Sequence, residues 1–304
     1  MSSQAPPAPI VVFAYRRPAH LRRALASLAR NPLARESPLV IFCDGARDPA
    51  AAAEVADVRR IARSARGFRS VSVVERERNL GLMASIVDGV GSMTREFGRV
   101  IVVEDDLVVA PQFLEFMNLA LAKYAGSSSV MQVSGFQFDL RTTPMDEGVF
   151  LPMISCWGWA TWSRAWEAFA SAAEAYERLK ADPLRRKRFD LDGAYDYFDL
   201  LEKQVRGEVD SWGIWWYLSV FDRDGLVLYP PRSLVTNTGF DGSGTHGVGN
   251  DGGLASSDAG GFALAKLRLP SEERLTPQAL NEVKRILITS RKGPFARMLG
   301  RFEW

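Results

Sequence analysis

Val100-Ile101-Val102-Val103-Glu104-Asp105-Asp106-Leu107-Val108-Val109-Ala110-Pro111 decides the reading of this 304-residue chain. An apolar run without polar alternation, broken abruptly by acids, is the pattern of a strand buried on both faces, as parallel sheets require. Three similar runs precede it: Ile10-Val11-Val12-Phe13, Leu39-Val40-Ile41-Phe42 and Val71-Ser72-Val73-Val74. The segments between them, Pro18 to Arg30, Pro49 to Ala65 and Leu82 to Phe97, are long enough for helices, and the first two open with proline, which suits a helix start. The order βαβαβαβ predicts an α/β fold with a Rossmann-like, mostly parallel sheet flanked by helices. Ligands of such sheets bind beyond the carboxyl ends of the strands. Tyr15-Arg16-Arg17, Cys43-Asp44-Gly45 and Glu104-Asp105-Asp106 should therefore share one edge.

Beyond Pro111 the pattern changes. A helix is expected over Pro111 to Ala125 and a strand over Val130 to Ser134. A tryptophan-rich helical region should run from Trp157 to Tyr176, and a charged helical stretch from Leu184 to Arg206. Trp212 to Phe221 reads as a helix, Leu226 to Tyr229 as a strand, and the glycine-dense residues 239–261 as a loop. These elements predict a ligand-binding half over residues 9–110, a helical and aromatic half over 111–262, and a tail over 263–304. The tail holds nine Lys/Arg against four Glu, and ends in Phe295, Met298, Leu299, Phe302 and Trp304. Such a segment suits either peripheral contact with an anionic membrane or packing of a solvated helix on the domain.

Composition narrows the function. The net charge of +2 gives no electrostatic case for a nucleic-acid partner. Cys43 and Cys156 lie in apolar runs, where buried thiols are expected rather than a disulfide framework. The apolar run Ile10 to Ala14 is too short for a signal-peptide core, and no stretch of about 18 apolar residues is present, so a cytoplasmic setting is expected.

Three consecutive acids are costly to place together unless a cation or hydrogen-bond donors neutralise them. Hard divalent cations such as Mn²⁺ or Mg²⁺ are held by one or two carboxylates together with substrate phosphates, so a diphosphate-bearing ligand fits this edge. Acids at a helix N-terminus are the competing explanation, but Leu107-Val108-Val109 separates them from the next helix. Arg17 suits a phosphate or a base carbonyl. Asp44 could accept a hydrogen bond from a base, with Gly45 giving a ligand close approach, although Asp-Gly is also an ordinary turn. Asn79 reads first as a helix cap and second as a ligand contact. Asp210, with aromatic residues beside it, could be desolvated into a general base or could cap the helix starting at Trp212. The tryptophans at 157, 159, 162, 166, 212, 215 and 216 suit a sugar site or a core equally. His246 could contact a ligand in its loop, whereas His20 reads as structural or surface. Gly242-Ser243-Gly244-Thr245-His246-Gly247 spells GxGxxG but neither follows a first strand nor opens a helix, so a nicotinamide cofactor is rejected. No phosphate-binding P-loop sequence is present.

Residues 102–113, Val-Val-Glu-Asp-Asp-Leu-Val-Val-Ala-Pro-Gln-Phe, resemble the DXD-type segment of the N-acetylglucosaminyltransferase I-like family and its bacterial relatives, inverting enzymes with the A-type glycosyltransferase fold. The resemblance spans about residues 9–250. It takes in Val12 to Arg17, Asp44, Trp157-Gly158-Trp159, Val209-Asp210-Ser211-Trp212 and the loop holding Thr245-His246-Gly247. It implies a nucleotide-sugar donor, by analogy a UDP-sugar, and a glycan, glycolipid or glycoprotein acceptor. The implied roles are Asp106 as ligand to Mn²⁺ or Mg²⁺, Glu104, Asp105, Arg17, Asp44 and His246 as donor contacts, Trp157, Trp159 and Trp212 at the acceptor, and Asp210 as catalytic base. Serine at 211 departs from a second aspartate common in the family. A nucleotidyltransferase and a non-catalytic sugar-nucleotide-binding protein are the alternatives. The basic glycine-rich loop that a nucleotidyltransferase places after its first strand is missing from Tyr15-Arg16-Arg17-Pro18.

Overall fold

A computed structural model describes residues 6–141, 146–239 and 268–291 of the chain. His246, the GxGxxG string and the apolar tail end from Phe295 to Trp304 lie outside the described residues.

The first half follows the strand–helix alternation: β1 (Ile10–Ala14), α1 (Pro18–Ala29), β2 (Pro38–Cys43), α2 (Ala52–Arg63), β3 (Ser70–Glu75), α3 (Leu82–Phe97) and β4 (Arg99–Glu104). Parallel ladders set the order β3-β2-β1-β4. All five residues of β1 are buried, as expected of a central strand covered on both faces. Phe13 stacks on Phe42, ring centroids 5.3 Å apart, and Gly89 lets α3 pass over them, since a β-carbon there would lie 2.6 Å from the Phe13 ring.

The second half comprises β5 (Leu107–Val109), α4 (Phe113–Lys123), β6 (Val130–Ser134), β7 (Val149–Leu151), β8 (Trp159–Trp162), α5 (Ser163–Trp166), α6 (Ala172–Ala181), α7 (Pro183–Phe189), α8 (Tyr197–Val205), α9 (Trp212–Asp222), β9 (Leu226–Tyr229), β10 (Val235–Asn237) and α10 (Pro277–Arg291). The main sheet continues as β4-β8-β6-β9-β7, with β8 antiparallel to both neighbours and β6 parallel to β9. The α/β class and the mostly parallel sheet agree with the sequence. Two local expectations do not. Trp159–Trp162 is a strand rather than the start of a helix, because its four residues are buried between β4 and β6. The charged helix from 184 to 206 is broken, since Leu191 and Asp192 take positive φ between α7 and α8. No helix among the described residues is long and apolar enough to cross a membrane. Cys43 and Cys156 are buried free thiols, as expected.

Candidate active site

The carboxyl ends of β1, β2 and β4 bring Arg17, Asp44 and the 104–106 triplet to one edge, as the topology rule requires. After the acids the chain turns into β5, which pairs antiparallel with β10. Helix α4 begins only at Phe113 with Gln112 as its cap residue, so the acids do not serve a helix N-terminus.

Asp105 is 3% exposed. Its carboxylate accepts from the Arg17 guanidinium and, at 3.5 Å, from the Tyr15 amide. Arg17 also reaches Asp106 Oδ2 at 3.1 Å. Burial pulls the Arg17 pKa down, but Asp105 and Asp106 outweigh it and the net movement is upward. The acids respond in the opposite sense. Burial and repulsion from Asp106, partly offset by Arg17, raise Glu104 to about 8. Burial raises Asp105 to about 6, with Arg17 opposing and Asp106 adding to the rise. Three carboxylates thus share one arginine, and full ionisation leaves an excess of two negative charges. Among the described residues no three His, Cys, Asp or Glu side chains converge as a protein-only metal cage. The donor set fits instead a Mg²⁺ or Mn²⁺ that takes one or two carboxylates from the protein and the rest of its oxygens from phosphates and water.

Strand β10 carries its own continuation onto the triplet. Thr238 donates to the Asp106 carbonyl from its amide at 2.8 Å and from its hydroxyl at 2.9 Å. Gly239 follows, with no room for a β-carbon between Asp106 Oδ2 and Arg17. His20 is buried and lies 3.1 Å from the Thr238 carbonyl, which makes its role structural. Thr238 did not stand out in the sequence, and Gly239 was read only as the start of the glycine-dense loop. The signal was a single threonine-glycine step at the head of a glycine-rich stretch.

Asp44 is engaged on both carboxylate oxygens. Its Oδ1 accepts from the amides of Gly45 and Leu80, both at 2.9 Å, and its Oδ2 from Asn79 Nδ2 at 3.0 Å and the Gly81 amide at 3.1 Å. Four donors fill the lone pairs of a carboxylate. Asp44 therefore holds the 79–81 turn. Asn79 is part of this hub rather than a helix cap, since Gly81 precedes α3. Gly45 gives close approach to the backbone of Arg78.

The turn so fixed lies beside Asp210: a β-carbon on Gly81 would sit 3.2 Å from Asp210 Oδ2. Ser211, not Asp210, caps α9, its hydroxyl accepting from the Ile214 amide at 3.4 Å. Asp210 is exposed, so the expected desolvation by neighbouring aromatics does not occur. Those aromatics turn inward. Trp159 and Trp212 are fully buried and stack at 5.1 Å, so both pack in the core. Trp157 is partly exposed and meets Phe136 edge-on at 5.0 Å. The Asp105 carboxylate faces the protein, and Arg17 bridges Asp105 and Asp106.

The fold is thus an α/β sheet whose carboxyl edge gathers Arg17, Asp44 and the three acids of residues 104–106. Residues 1–147 match the model of the GNT-I family, which bears out the resemblance read from residues 102–113. No curated protein matches the chain. Among solved structures, the mannosyltransferase PcManGT from Pyrobaculum calidifontis, in complex with GDP-Man and Mn²⁺, is 16% identical, over 58% of this chain and 49% of its own, with a TM-score of 0.37. TarS from S. aureus is 13% identical over 77% of this chain and 37% of its own, with a TM-score of 0.45. A cytidylyltransferase from Leptospira borgpetersenii is 14% identical over 55% and 65%, with a TM-score of 0.36. The chain thus spans less than two thirds of the length of each.

Proposed function

We propose that the protein is an inverting, metal-dependent transferase that moves a sugar from a nucleoside diphosphate, UDP by family resemblance, to a hydroxyl of a glycan, glycolipid or glycoprotein. The observation that carries this reading is the charge balance at the end of β4, where Glu104, Asp105 and Asp106 face a single arginine. A Mn²⁺ or Mg²⁺ ion held at Asp106, with Glu104 beside it, would supply positive charge against the diphosphate as it leaves.

The chain's own residues account for the rest. Asp105 orients Arg17, whose planar fork suits a phosphate oxygen as well as a carboxylate. Asp44 fixes the 79–81 turn and so keeps Gly81 against Asp210. Asp210 takes the proton of the acceptor hydroxyl as that oxygen attacks the anomeric carbon. The new C–O bond forms opposite the breaking bond to the diphosphate, and the configuration inverts. General-base assistance of this kind is worth about 10²- to 10⁴-fold. Trp157, partly exposed, is the remaining tryptophan of the three read as acceptor contacts.

A panel of nucleotide sugars tested by thermal shift with and without Mn²⁺ decides the matter, because a ligand that binds only the folded chain raises its melting temperature. One donor should give a metal-dependent rise and release its nucleoside diphosphate when an acceptor is added. The reading fails if every donor leaves the melting temperature unmoved, or if the phosphorus product is pyrophosphate.

A further inference from the structure

The peptide that joins Asp210 to Ser211 is held from a different helix. Ser211 is buried, so its amide hydrogen needs an acceptor. In a capping box the third residue of the helix reaches back to supply one, but that position in α9 is Ile214, whose side chain has no acceptor. Gln204, in the last turn of α8, takes its place: its side-chain carbonyl oxygen accepts from the Ser211 amide. The Gln204 amide nitrogen lies 3.8 Å from Met83 Sδ in the first turn of α3.

Gln204 thus joins α8, α9 and α3 at one point. Val205 to Glu208, on the way from it to Asp210, are exposed, and the chain turns there through Gly207 at φ 73°. A connection of that kind has little packing of its own to fix it. The Asp210 side chain is exposed as well, so its direction follows the backbone that carries it. The Gln204 bond fixes one peptide plane attached to the Asp210 α-carbon, while Gly81, two residues before Met83, stands against the carboxylate itself. Such fixing matters to a general base, because a misplacement of about 1 Å can cost about 10²-fold in rate.

We propose that Gln204 is a positioning residue for the transfer reaction: its side-chain carbonyl holds the Asp210–Ser211 peptide so that the Asp210 carboxylate stays aimed at the hydroxyl it deprotonates. The proposal rests on the transfer reading above, in which Asp210 is the base.

A double-mutant cycle on the full chain tests it. The readout is release of nucleoside diphosphate from UDP-N-acetylglucosamine, UDP-glucose, UDP-galactose and GDP-mannose in Mn²⁺, with water as the acceptor, beside the thermal shift each donor gives. Gln204→Met keeps the length of the side chain and removes the acceptor. It should lower turnover about tenfold, within what a small misplacement allows, and leave the donor-induced thermal shift as in the parent. Gln204→Glu, which keeps an acceptor oxygen at the same reach, should restore most of the loss. In an Asp210→Asn background Gln204→Met should lower turnover no further, because the group it aims is gone, whereas a purely structural role would cost as much there as in the parent. The inference is overturned if Gln204→Met turns over as the parent does, if its loss is the same in both backgrounds, or if Gln204→Glu recovers none of it. Should Gln204→Met fail to fold, Gln204→Asn, one methylene shorter, enters the same cycle under the same criteria. Absence of turnover by the parent chain removes the reaction that Gln204 would serve and overturns the inference too. Asp210→Asn with the parent's turnover sinks the base assignment of the transfer reading, whereas a loss confined to Asp210→Asn sinks the role of Gln204 alone.

Discussion

Gly81 lies against Asp210 so closely that a methyl group on its α-carbon would stand 3.2 Å from the aspartate Oδ2. The backbone of Gly81, at φ 80° and ψ 167°, occupies a region that is essentially glycine-only. Gly81→Ala should therefore cost about 1–3 kcal/mol in unfolding free energy, read from urea denaturation. Because the new methyl also displaces the Asp210 carboxylate, kcat should fall while the donor-induced thermal shift persists. A variant with lowered stability and unchanged kcat would separate Gly81 from catalysis.

Asp44→Asn tests whether Asp44 positions a turn or touches a base. The amide replaces one acceptor oxygen with a donor that faces the N–H groups already aimed at it. Loss of charge-assisted hydrogen bonds at a buried site should lower stability by about 2 kcal/mol or more. A residue that merely contacts a nucleobase would instead change the choice of nucleotide and leave the unfolding midpoint where it was. Denaturation curves beside nucleotide competition distinguish the two outcomes.

The contrast between Asp44 and the strands around it shows what the chain's order of residues can convey. Runs such as Val100 to Val103 carry their environment with them, because only a strand covered on both faces tolerates four consecutive apolar residues that are all buried. The 104–106 triplet was legible for the same local reason. Asp44 was not, because its four donors come from its own turn and from residues 79–81, more than thirty positions away. Trp159–Trp162 was misread because tryptophan suits a helix, a strand or a ligand face, and only the pairing with β4 and β6 decides. The three-residue strands β5 and β10 are too short to leave a periodic pattern, yet their pairing brings Gly239 to Asp106.

Asp210 and Ser211 are neighbours with separable tasks. Ser211→Ala removes the helix cap and should cost about 1 kcal/mol of stability. Asp210→Asn keeps that cap and removes the base. Its unfolding midpoint should match the parent's, while kcat falls about 10²- to 10⁴-fold. Single-turnover measurements with saturating donor would show this directly. Equal losses of stability in both variants would mean that Asp210 also supports the start of α9.

The acidic triplet should give the chain a distinctive pH dependence when divalent metal is removed with EDTA. In the folded chain Glu104 releases its proton at about 8 rather than 4.5, and Asp105 at about 6 rather than 3.8. Across that interval the folded state holds protons that the unfolded chain has already lost. The contribution of these two groups is therefore fully present below about pH 4, and is lost as pH rises through about 6 and then about 8. The urea midpoint in EDTA should accordingly fall from about pH 5 to about pH 8.5, and Glu104→Gln should remove the upper part of that fall. Mn²⁺ favours the ionised carboxylates, so the midpoint it restores should be larger at the alkaline end. A Glu104→Gln variant whose profile overlays the parent's would show that Glu104 is not held in the buried, repelled setting that its place beside Asp106 requires.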